Sequence, residues 1–127
     1  MAVRVELVDD GRVIEIAANG QVSRREAGWA TERVRELSLR CPGCGILADC
    51  ARSEMGEAPV LASEYVENFL FAMEHPVTIA YVRPTIWSDA FVARATEHLS
   101  QSRSRARMFD HREDALAWLR SHSTSTA

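Results

Sequence analysis

Apolar and polar residues alternate from Val3 to Val8, with Val3, Val5 and Leu7 on one side and Arg4, Glu6 and Val8 on the other. A period of two is that of a strand with one face in a core. Asp9, Asp10 and Gly11 make a turn, after which Val13, Ile14 and Ile16 resume the β-branched pattern, so the first two strands form an antiparallel hairpin around the Asp-Gly turn, and Asn19 and Gly20 close the second strand. Ser23, followed three residues later by Glu26, has the spacing of a capping box. It opens a helix with Ala27, Ala30, Val34 and Leu37 as its apolar stripe, and Pro42 and Gly43 stop that helix.

The run from Ile46 to Cys50, between Gly45 and the polar stretch 52–57, reads as a central strand. Pro59 suits the first turn of a second helix with the stripe Leu61, Tyr65, Phe69 and Met73. Val77, Ile79, Tyr81 and Val82 form a strand that Pro84 ends, and Trp87, Phe91, Ala95 and Leu99 recur every four residues as a third helix. Ala106 to Phe109 is a short last strand. Asp110 and Glu113 have the spacing of a second capping box before Ala115, Leu116, Trp118 and Leu119, the apolar side of a final helix. This order predicts an α/β fold: a single mixed β-sheet of about five strands, with about four helices packed mainly on one face. Residues 1–120 make one domain, and 121–127, lacking any core residue, a fraying tail.

Composition narrows the function classes. At 127 residues with 46% hydrophobic content, the chain can build a core without disulfide or metal staples. Its 15 basic residues, all arginine, face 18 acidic ones, so no basic excess is available for phosphates and nucleic acid is not the expected partner. No apolar run is long enough for a transmembrane segment, and charges lie near the N-terminus where a secretory core would be. A cytoplasmic protein is expected.

Candidate chemistry is sparse. Cys41 and Cys44, spaced as Cys-Pro-Gly-Cys, have the spacing of a thiol pair or half a zinc site. Zinc needs four ligands, and the only other cysteine is Cys50, inside the central strand. The pair follows a helix C-terminus, whereas a redox pair wants its first thiolate at an N-terminus. The plain reading is a turn with incidental, reduced cysteines; the alternative is a thiol-dependent redox protein. Asp49 ends the central strand, where open sheets bind ligands, and Ser53, Glu54 and Glu57 share the following loop. His75, His98, His111 and His122 lack metal-ligand spacing, so neither a metal nor a cofactor is expected. Trp87 and Phe91 either pack in the core or line a ligand cavity. Arg103, Arg105 and Arg107 alternate on an extended segment as an anion site or, more simply, a charged strand edge.

The element order, Ile46 to Asp49 before a loop and helix, Trp87 to Asp89 opening a helix, and Arg107 to Leu119 (RMFDHREDALAWL) together resemble the SpoIIAA-like proteins related to STAS domains, over nearly the whole chain. That resemblance implies a regulatory or ligand-binding module instead of an enzyme. Members of the STAS group switch through a serine about eight residues beyond the strand's aspartate. Here that count reaches Glu57, Ala58 and Pro59, where the hydroxyl is missing, and Ser53 and Ser63 are displaced from the slot. The expected function is therefore a non-enzymatic module engaging a protein partner or a small or lipidic ligand, without the phosphoswitch. Its binding residues are expected among Asp49, Ser53, Glu57, Tyr65, Trp87 and Phe91, and a homodimer is one state it admits.

Overall fold

A computed structural model describes residues 2–54, 77–90, 92, 93 and 105–123. They form a five-stranded sheet in the order β1 (Val3–Val8), β2 (Val13–Gly20), β3 (Gly45–Ser53), β4 (Thr78–Val82) and β5 (Arg105–Phe109). The first pair is antiparallel and the other three are parallel. The sheet is therefore mixed, as the pattern predicts.

Two helices are present among the described residues, α1 (Arg24–Arg40) and α2 (Arg112–Ser123). They lie on opposite faces, where packing mainly on one face was expected. Alternation along the strands explains why both faces must be covered. Ile14, Ile46 and Ile79 pack with Val34 and Leu37 of α1, while Val13, Leu47 and Ala80, each one residue away, pack with Ala115, Leu116 and Leu119 of α2. A sheet apolar on both sides needs a helix on each. The second expected helix and most of the third lie outside the described residues, apart from a helical turn after Ser88, whose carbonyl accepts from the Val92 amide at 3.0 Å.

Local chemistry fixes the hairpin and α1. Asp9 and Asp10 adopt φ of 54° and 58°, a region that aspartate tolerates better than most residues. The Ser23 side chain accepts the Glu26 amide, as a cap should. Glu26 departs from the box: it accepts from the Ser23 hydroxyl at 3.2 Å and reaches the Ala2 amide at 2.9 Å, tying α1 to the start of β1. That backbone bond is the main reason its carboxyl is held below the usual range.

Three boundaries differ from the pattern. β3 continues through Arg52 and Ser53, because β2 extends beside it to Gly20 across a bulge that sets three β3 residues against two of β2. α2 begins with the His111 carbonyl accepting the Ala115 amide, so Asp110 is not its cap; that carboxylate is drawn to Arg83 at 2.8 Å. α2 also runs to Ser123 rather than fraying at 121: the Ser121 hydroxyl donates to the Trp118 carbonyl at 2.8 Å, and the His122 ring lies 4.8 Å from that of Trp118. Residues 124–127 lie outside the described set.

Gly45 opens β3 under α2, and a Cβ there would stand 2.9 Å from Leu119 Cδ2. Leu119 is fully buried and cannot swing aside freely. Gly45→Ala should therefore cost about 1 kcal/mol by overpacking, and Leu119→Ala about 2–5 kcal/mol by leaving a cavity. In the Leu119→Ala background the added methyl should be neutral or stabilising. Urea unfolding of the four proteins measures this; simple additivity of the two changes would contradict the packing described.

Candidate functional site

Leu47 faces α2, so Glu15, its partner in the β2–β3 register, opens on the same side, as does Asp49 two residues along β3. Glu15 is only 6% exposed, which is costly for a carboxylate unless a cation reaches it. Arg112, the first residue of α2, does so with two bonds, Nε to Oε2 at 2.8 Å and Nη2 to Oε1 at 3.1 Å. This is the fork geometry that suits guanidinium to carboxylate. About 12 Å further along the helix axis, by the rise per residue, Arg120 grips Asp9 in the hairpin turn at 2.8 Å and holds that carboxyl below its usual range. The two pairs lay α2 antiparallel to β2.

Asp49 stands beside the first pair. Its Oδ2 is 4.0 Å from Arg112 Nε, which is already committed to Glu15, and its Oδ1 accepts the Ala51 amide at 3.2 Å. An ionised carboxylate offers about four acceptor positions. Asp49 thus keeps accepting capacity with its side chain 23% exposed.

Among the described residues, the chain beyond β4 adds to a rim at the C-terminal ends of the parallel strands. Thr85 bonds through its amide and hydroxyl to the Ala51 carbonyl, and Arg83 joins Asp89 at 2.9 Å to Asp110 at 2.8 Å. Among the described residues Asp49, Asp89 and Asp110 set three carboxylates against the guanidinium of Arg83, with the Glu15–Arg112 pair beside them, so this part of the rim is acidic. Ile86 protrudes from it, 56% exposed.

The other residues singled out by sequence fall differently. Ser53 is 2% exposed, with its backbone paired to Gly20 past the bulge. Trp87 is buried, and its amide closes a turn on the Pro84 carbonyl at 3.1 Å. Glu57, Tyr65, Phe91, Ser63, His75, His98 and Arg103 lie outside the described residues. Arg105 and Arg107 are exposed on β5, and Arg107 lies over the Phe109 ring. Among the described residues no group of histidine, cysteine and carboxylate side chains has the arrangement of a metal site. Glu15 and Arg112 were missed. The available signal was a glutamate inside Val13-Ile14-Glu15-Ile16, because a charge in an apolar strand requires a partner from elsewhere.

On the α1 side of the sheet, burial, aided by the charge of Asp49, pushes the Cys50 thiol from 9.0 up to about 12. Burial, with a further contribution from Cys50, also pushes the Tyr81 phenol up, and its buried hydroxyl has no hydrogen-bond partner among the described residues. Cys41 and Cys44 are joined in a disulfide, which corrects the expectation of reduced thiols.

No family model and no curated protein matches the chain. Among solved structures, an uncharacterised DUF3478-family protein from Shewanella loihica PV-4, described as having a SpoIIAA-like fold, is similar with a TM-score of 0.58 at 15% identity. The match covers 93% of this chain and 92% of that one. The chain has a SpoIIAA-like fold. Among the described residues no helix is long and apolar enough to cross a membrane.

Because the folded chain keeps the Cys50 proton to higher pH than the unfolded chain does, this group's contribution to stability is present below pH 9.0 and lost as pH rises toward about 12. Urea midpoints should hold below that window and fall within it, and Cys50→Ala should flatten part of the fall. Identical alkaline slopes in the two proteins would refute the burial of this thiol.

Proposed function

We propose that the chain is a non-enzymatic, STAS-like regulatory or binding module that docks a protein partner on the acidic rim around Asp49, without a serine phosphoswitch. The observation that carries this reading is the state of Asp49. Within β3, at the last residue paired with β4, its carboxylate accepts one backbone bond and faces a guanidinium that Glu15 already holds, so it has acceptor positions to offer. A partner segment bearing arginine, lysine or free N–H groups has the complementary chemistry. The exposed Ile86 beside Arg83 and Asp89 adds an apolar contact with a polar border, which favours a protein segment over a small or lipidic ligand.

The same residues support binding over turnover. Nucleophilic catalysis needs an activated hydroxyl or thiol next to a base. Cys50 is held protonated and Ser53 is buried, while Arg112 and Arg83 are occupied by carboxylates. The burial of Ser53 also works against its phosphorylation, in keeping with the missing hydroxyl at Ala58.

Capture from a lysate of the cells that express the protein, using wild type and Asp49→Arg side by side, tests the reading. A partner held by wild type should be retained at least about tenfold less by the variant, and its retention should weaken with added salt, as charged contacts do. Circular dichroism establishes that the variant is folded. Equal retention of every captured protein, or turnover of an ester, phosphoester or thioester by wild type that the variant loses, would overturn it.

A further inference from the structure

We infer that the Cys41–Cys44 disulfide is a reversible redox site, in which an external dithiol attacks the sulfur of Cys41 and the sulfur of Cys44 leaves. The bond sits at the opposite end of β3 from the acidic rim, where the end of α1 meets the β1–β2 turn. Its two residues differ in exposure, Cys41 being only partly buried against the core. Cys41 is partly exposed and followed by the exposed Pro42 and Gly43, whereas Cys44 is 6% exposed.

The fold has little need of the bond. Closing a loop of so few residues removes less chain entropy than closing a long one. The turn is already closed by the Cys44 amide on the Cys41 carbonyl at 3.0 Å, and the helix end by the Cys41 amide on the Leu37 carbonyl at 2.9 Å. Gly45 is separately fixed by its amide on the Arg12 carbonyl at 3.2 Å. Opening the disulfide therefore leaves these anchors in place. The reduced state also has an acceptor ready: Cys44 Sγ lies 3.3 Å from the Gly11 carbonyl oxygen, which a thiol proton can reach.

The exchange balances in two steps. A thiolate of the dithiol bonds to Cys41 Sγ, and the S–S pair departs on Cys44 Sγ, which takes up a proton and donates to Gly11. The dithiol's second thiolate then attacks its own first sulfur and expels Cys41, which takes up the second proton. The chain gains two electrons and two protons, and the dithiol leaves as a cyclic disulfide. Cys41 caps the negative end of the α1 dipole, which works against a standing thiolate there and slows its attack on other disulfides. Cys50 stays out of the exchange because its thiol remains protonated in the sheet.

The test uses the full chain prepared without reductant, with quench alkylation and mass spectrometry at neutral pH and no denaturant. Dithiothreitol should convert one Cys41–Cys44 disulfide fully to the dithiol and removal of reductant should restore it, with a fall in Tm of about 5 °C on reduction. In oxidised glutathione, Cys44→Ser should take up one glutathione on Cys41, whereas Cys41→Ser should react at Cys44 at least about tenfold more slowly. The double variant Cys41→Ser/Cys44→Ser should fold by circular dichroism and show no Tm response to dithiothreitol. A pair that stays reduced in oxidised glutathione, a disulfide that opens only in denaturant, or equal rates at the two cysteines would overturn the inference.

Discussion

A carboxylate buried in the middle of a sheet has to find a cation, and how Glu15 does so organises much of this molecule. Left alone at 6% exposure it would lose most of its hydration, a cost of several kcal/mol. Arg112 meets it with two bonds from the first turn of α2, across 97 residues of sequence. That contact sets where the last helix lands. It aligns Ala115, Leu116 and Leu119 over Val13, Leu47 and Ala80, and it occupies the guanidinium that would otherwise close on Asp49. Packing and site thus share one constraint: the helix is seated by a charge pair whose saturation leaves the neighbouring acid able to bind something else.

Much of the scaffold was legible because it depends on nearest neighbours in sequence. The β1–β2 hairpin follows from alternation around an aspartate-glycine turn, α1 from Ser23 and a three-four stripe, and β3 and β4 from compact apolar runs. The errors come from contacts between distant residues. Asp110 looked like a cap, yet Arg83 takes its carboxylate, and β3 looked finished before Arg52, yet β2 continues beside it. The side on which each helix packs also escaped the pattern, since an amphipathic stripe shows that a helix has a buried face without showing which face of the sheet receives it.

The site was legible to a similar degree. Asp49 was expected to end the central strand; β3 runs on to Ser53, and Asp49 is instead the last β3 residue paired with β4. Trp87, expected either in the core or at a ligand cavity, is buried, and so is Ser53, a candidate by proximity in sequence, which pairs with Gly20 past the bulge. The pairing of Glu15 with Arg112 needed a three-dimensional fold to appear, although the glutamate within an apolar strand already indicated that some partner was required. The two ends of β3 are chemically distinct, an acidic rim at one and a disulfide at the other, and the SpoIIAA-like sheet holds them apart.

A double-mutant cycle on Glu15→Gln and Arg112→Gln, read by urea unfolding, tests most directly whether this pair seats the last helix. Since Arg112 is 42% exposed, the coupling should fall below that of a fully buried pair, at about 2 kcal/mol. A coupling under about 0.5 kcal/mol, the level at which independent sites add, would mean that α2 is held by its apolar face alone and would contradict the account.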